Sequence, residues 1–178
     1  MIDDKRKKEA KLNFDSYLKD GLIKKETNKT SEEMYLKNAE LSLQVADELS
    51  KSPLNPHLWV IVTSYYAMFY AANSVLLHLG YKTQDKIVHK VTNDALIVLV
   101  LDKLKTGIFE EYEAVQHDAL EIASIKAEEL IENYEFELGK RSTFQYNMLE
   151  QTKESKARTS LKRAKEFILE LKKLMIKK

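Results

Sequence analysis

Hydrophobic residues recur every third or fourth position through most of this chain, the spacing that gathers them on one side of an α-helix. Leu36, Ala39, Leu43, Ala46 and Leu49 trace one such stripe, behind Thr30-Ser31-Glu32-Glu33, a helix start with acids in its first turn. Ile87, Val91, Ala95, Val98 and Leu101 trace a second, with Asp85 as its expected cap. Leu161, Ala164, Phe167, Ile168, Leu171, Leu174 and Met175 trace a third beneath a basic face. From Asn55 to Leu79 the chain is apolar nearly all round, which predicts a central helix packed on several sides. Asn55 is its expected N-cap, Pro56 its first helical residue, and Gly80 its stop. Ser64, Ala67, Ala71, Ala72 and Ser74 would let neighbouring helices come close. A polar helix ending near Gly21 precedes these elements. An acidic helix is expected from about Phe109 to Leu138, then a short segment Lys140 to Asn147 and a last helix from about Ser155 to Lys177. Val98-Leu99-Val100-Leu101 could form a strand, but no partner strand is visible. The pattern predicts an all-α, antiparallel up-and-down bundle of five to six helices. Residues 1–30 would be a peripheral N-terminal helical extension of a bundle at 31–178, one domain overall.

A length of 178 residues suits a single domain with a real core. The chain has no cysteine, which excludes a disulfide framework, a thiolate metal site and a cysteine nucleophile, and fits a reducing cytosol. Met1 to Lys8 is charged with no apolar run behind it, so a cytoplasmic protein without a secretory leader is expected. Leu58 to Leu79 is interrupted by Thr63, Ser64, Tyr65, Tyr66, Tyr70, Asn73 and His78, which reads as a buried helix and not a membrane span. The net charge of +1 gives no strong steering field. Its distribution is uneven: Glu110 to Leu138 holds ten acidic residues and one Lys, whereas Gln151 to Lys178 holds ten Lys/Arg and three Glu. Helices of opposite sign attract when packed side by side, the preferred account of this asymmetry; the other is that the basic stretch faces nucleic acid.

The four histidines show none of the spacings that build metal sites. None of His57, His78, His89 and His117 follows a Glu by three positions, and no two are four apart, so no dedicated metal site and no cofactor is expected. The four glycines are too scattered for a phosphate loop, and no nucleophile elbow appears.

Three stretches resemble the HEPN family, the higher eukaryotes and prokaryotes nucleotide-binding domain. Leu36-Lys37-Asn38-Ala39-Glu40 with Leu43 and Ala46 looks like the family's opening helix. Ser64-Tyr65-Tyr66-Ala67-Met68-Phe69-Tyr70-Ala71-Ala72, followed by Leu76-Leu77, Gly80 and His89-Lys90, looks like its most recognisable block. Arg141 with Tyr146 five positions later, before a helix carrying Ala164, Phe167 and Ile168, is similar to its last part. The resemblance spans about residues 34 to 176. It implies an up-and-down bundle that commonly dimerises, often an RNA-acting toxin or the partner of a small nucleotidyltransferase.

Catalytic members of the family pair an Arg with a His a few residues on. Metal-independent RNA cleavage needs a group that moves a proton and a cation that holds phosphate, roles suited to imidazole and guanidinium. Here Arg141 is present, but Tyr146, Asn147 and Met148 stand where the His would fall, and no His follows His117. The resemblance therefore implies a non-catalytic nucleotide- or RNA-binding module. Arg141, Lys140, Tyr146 and Asn147 would be its ligand-binding residues, and its partner a second copy or a nucleotidyltransferase, as in a toxin–antitoxin pair. One alternative is a metal-independent endoribonuclease using Arg141 with Tyr146 as acid or His89 as a donated base, although an unperturbed Tyr is a poor base near pH 7. Another is a purely structural helical dimer.

Each residue also has a plainer role. Arg141 could cap the preceding helix or pair with its acids, Tyr146 could be a packing residue, and His89 an ordinary surface or core histidine. Trp59 and the Tyr65–Tyr66 pair are expected in the core, and Lys162, Arg163 and Lys165 on a solvated face.

Overall fold

The structure is a computed structural model describing residues 2–84, 87–136 and 150–176. It is an all-α bundle of six helices: α1 (Asp4–Lys19), α2 (Lys29–Ser50), α3 (His57–His78), α4 (Val88–Leu99), α5 (Ile108–Phe136) and α6 (Glu150–Ile176). Val98 and Leu99 close α4 and a short 3-10 turn follows at Leu101–Lys103, so the apolar run from Val98 to Leu101 forms no strand.

The central helix is α3. It packs against α2 along its length and also meets α4, α5 and α6, so nearly every face of it is covered. Ser64, Ala67, Ala71, Ala72 and Ser74 are all buried there. Such small side chains let two backbones approach, and the Ser74 hydroxyl reaches the Glu32 carbonyl on α2 at 2.9 Å. By length and composition α3 could also cross a membrane, yet 78% of its apolar window is buried inside the bundle. On its α5–α6 side, Tyr112 stacks on Phe167 with ring centroids 4.8 Å apart, a pair that adds about 1 kcal/mol beyond the area it buries.

Helix starts follow local chemistry, with two departures from expectation. The Asn28 side chain accepts from the Ser31 amide, so α2 begins just before the Thr30-Ser31 start read from the sequence. Asn55 does not cap α3. It takes a left-handed φ of 49° in the turn after α2, which Asn tolerates, and Pro56 becomes the cap position with no side-chain bond.

Two features were invisible to periodicity. Ile23–Lys25 (β1) and Tyr81–Thr83 (β2) pair antiparallel, with Ile23 opposite Thr83 and Lys25 opposite Tyr81. Strands of three residues are too short to show alternation. The other feature ties α1 to the bundle. Ala10, Phe14 and Tyr17 are buried, and α1 lies on α4. At the heart of that contact Asp94 is fully buried: Arg6 Nη1 lies 2.6 Å from Asp94 Oδ1, and Asn13 and Tyr17 each donate to Oδ2 at 3.0 Å. Burial first, and then this carboxylate, push the Tyr17 phenol up to about 12.

Candidate functional site

The segment with Lys140, Arg141, Tyr146 and Asn147 lies outside the described residues, as does the expected cap Asp85. His89, the other candidate, sits in the first turn of α4, where the helix leaves a strained corner. Ile87 holds a left-handed φ of 44°, unusual for a β-branched residue, and its side chain cannot cap. The corner sets His89 against Tyr65 and Phe69 of α3, while Lys90 stays exposed.

Beside it a chain of hydrogen bonds runs through three helices. Asn93 Nδ2 on α4 donates to Gln116 Oε1 on α5 at 2.5 Å. Gln116 Nε2 donates to the Tyr65 hydroxyl on α3 at 2.9 Å. The Tyr65 hydroxyl lies 2.5 Å from His89 Nδ1. A Tyr65 hydroxyl that accepts from Gln116 through its oxygen can donate to the Nδ1 lone pair of His89, and in that arrangement the imidazole carries its hydrogen on Nε2. The imidazole also rests against the Phe69 ring, centroids 4.8 Å apart.

Burial sets the charge state. Desolvation lowers the His89 pKa below its ordinary 6.5, so the ring is neutral near pH 7. Burial likewise pushes the Tyr65 phenol up to about 12 and raises the fully buried Tyr112 phenol beside it. The chain is thus uncharged and ends in one half-buried imidazole. An Nε2–H of this kind donates a hydrogen bond. It cannot take a proton at Nε2 while Nδ1 also accepts, and with little imidazolium present it is a poor acid.

Elsewhere the structure sorts the remaining candidates. Tyr65 is buried as expected, but Tyr66 is 40% exposed and Trp59 65% exposed, a correction to their expected place in the core. Both lie on the side of α3 that turns away from the surrounding helices. The basic helix α6 does pair with the acidic α5, through Lys156 and Asp118 at 2.8 Å, but it pairs as much with α2, through Lys165–Asp47 and Lys172–Glu40 at 2.5 Å each. His78 lies 3.2 Å from Glu32. His117, Asp118 and Glu121 place ligand atoms within 4.8 Å of one another on α5, with Asp118 already bound by Lys156.

Sequence reading found His89 and Tyr65 but not the residues that join them. Gln116 and Asn93 belong to no motif and look like ordinary polar positions on their helices. The signal available was that Gln116 falls on the same helix face as the apolar Phe109, Tyr112 and Ala119. No family model, curated protein or solved structure matches the chain.

Proposed function

We propose that this chain is a non-catalytic nucleotide- or RNA-binding bundle, acting with a nucleotidyltransferase-type partner as the HEPN resemblance implies. The observation that carries the reading is the Tyr65–His89 bond. It turns His89 into a fixed, neutral Nε2–H donor beside the exposed Lys90, a pair suited to phosphate oxygens. Lys140 and Arg141 supply the remaining cations of the reading, with Tyr146 and Asn147 alongside. A neutral imidazole is a poor acid, and one whose Nδ1 lone pair is engaged by Tyr65 is a poor base, which argues against a ribonuclease that uses His89 as either.

Anisotropy with a fluorescent single-stranded RNA and with labelled ATP tests this. Binding is expected, falling steeply as salt rises because lysine and arginine contacts release counterions. Lys90→Ala and Arg141→Ala should each weaken it several-fold without altering the helical circular dichroism. RNA should stay intact in EDTA. No binding to either probe at low salt defeats the proposal. Cleavage in EDTA that His89→Ala abolishes replaces it with the endoribonuclease reading.

A further inference from the structure

Helix α4 carries both His89 and Lys90, yet little in its own sequence fixes where it lies. It has 12 residues, a length at which an unsupported helix is marginal. Its start has no side-chain cap, because Ile87 stands at the cap position in the left-handed region. Its place must come from its neighbours, and the element it touches most is α1. That contact is centred on Asp94, which Arg6, Asn13 and Tyr17 of α1 enclose.

Arg6 does more there than hold α1. Glu113 of α5 belongs to the same cluster: burial raises its pKa, Arg6 draws it down, and Glu110 and Asp94 push it up. Two carboxylates, one from α4 and one from α5, thus repel each other and share one guanidinium. The same two helices are joined by the Asn93–Gln116 bond. Asn93 is the chain neighbour of Asp94, and Gln116 lies one helical turn beyond Glu113. From Gln116 the hydrogen bonds run on to Tyr65 and His89. The charge that offsets the repulsion is therefore placed beside the bond on which the His89 chain depends.

We propose that Arg6 is a positioning residue for the His89–Lys90 pair: by neutralising Asp94 and Glu113 it holds α4 to α5, so that α1 sets the hydrogen bonds that fix His89. The N-terminal helix is then part of the binding machinery and not an addition to it. What the pair binds is taken from the functional reading above; how the pair is held does not depend on it.

The His89 titration, followed by NMR in the full chain, tests this. Burial lowers the His89 pKa, so its titration reports how closely the ring is enclosed. Arg6→Gln removes the charge and keeps a polar side chain. It should raise the His89 titration toward 6.5 and speed hydrogen exchange of the α4 amides roughly tenfold, while those of α2 and α3 exchange as before. Arg6→Lys keeps the charge and should leave the titration near that of the unaltered chain. In a Tyr65→Phe background, where the chain of hydrogen bonds is already cut, Arg6→Gln should move His89 no further, a non-additivity that general loosening of the fold does not give. An unmoved His89 in Arg6→Gln overturns the proposal. So do equal shifts in the two backgrounds, or α2 and α3 amides that accelerate with those of α4. A wild-type chain that binds neither RNA nor ATP defeats the functional reading alone, and the titration still decides this one.

Discussion

Two neighbours on α4, Asn93 and Asp94, point to different sides of the helix and belong to two unlike polar clusters. Asp94 faces α1 and is enclosed by Arg6, Asn13 and Tyr17. Asn93 faces α5 and begins the uncharged chain that ends at His89. In the first cluster a full charge has been taken out of water and is held only because a guanidinium and two further donors surround it; loss of any partner leaves an exposed deficit. In the second no group carries charge, so the cost of burial is small, and the last member is only half-buried. The contrast separates a lock from a site. Charge sealed on every side fastens elements together, whereas a neutral relay that reaches the surface positions a group for something outside.

The contrast can be broken most forcefully at Asp94. Asp94→Ala should lower the free energy of unfolding by about 3 kcal/mol, read from urea denaturation, because three donors lose a buried acceptor at once. A loss near zero would mean that α1 is held by its apolar contacts alone. Tyr65→Phe should cost less, about 1–2 kcal/mol, since it removes one hydroxyl from a neutral network. By NMR it should also raise the His89 titration, because the lost donor favoured the neutral ring. An unmoved His89 titration would show the two groups to be uncoupled.

Acidity sharpens the comparison further. The folded-state pKa of His89 lies below the ordinary 6.5, so on acidification the unfolded chain takes up this proton first. Stability from the neutral ring is full above pH 6.5 and is lost as pH falls from there through the lowered folded value. His89→Gln should flatten that part of the stability profile; an unchanged slope would place the responsible group elsewhere. The smallest effect is expected on the surface. Lys165 joins α6 to Asp47 across open solvent, and Lys165→Ala should change stability by no more than about 0.5 kcal/mol.

Helix class, helix order and the central place of α3 were legible in the sequence because each depends on repeats that run for many residues. The apolar circumference of α3 sufficed to make it the hub. What could not be read depends on a single partner from a distant helix. Arg6 and Asp94 are separated by four elements, and nothing local marks either as buried. Trp59 was misplaced for a related reason: on a helix apolar all round, periodicity does not say which side stays uncovered. His89 was noticed only through a resemblance, and its link through Tyr65 to Gln116 is marked by no pattern.

The β1–β2 ribbon has a consequence for how the chain reaches this arrangement. Its two strands are three residues each, yet the α2–α3 hairpin lies between them in sequence. Joining their ends directly from a disordered chain would close a long loop for very few hydrogen bonds. Once α2 and α3 have paired, the same ends are already neighbours and the ribbon zips at little entropic expense. The expected order is hairpin first and ribbon second, with the ribbon clasping α1 and α4 onto a pair already formed.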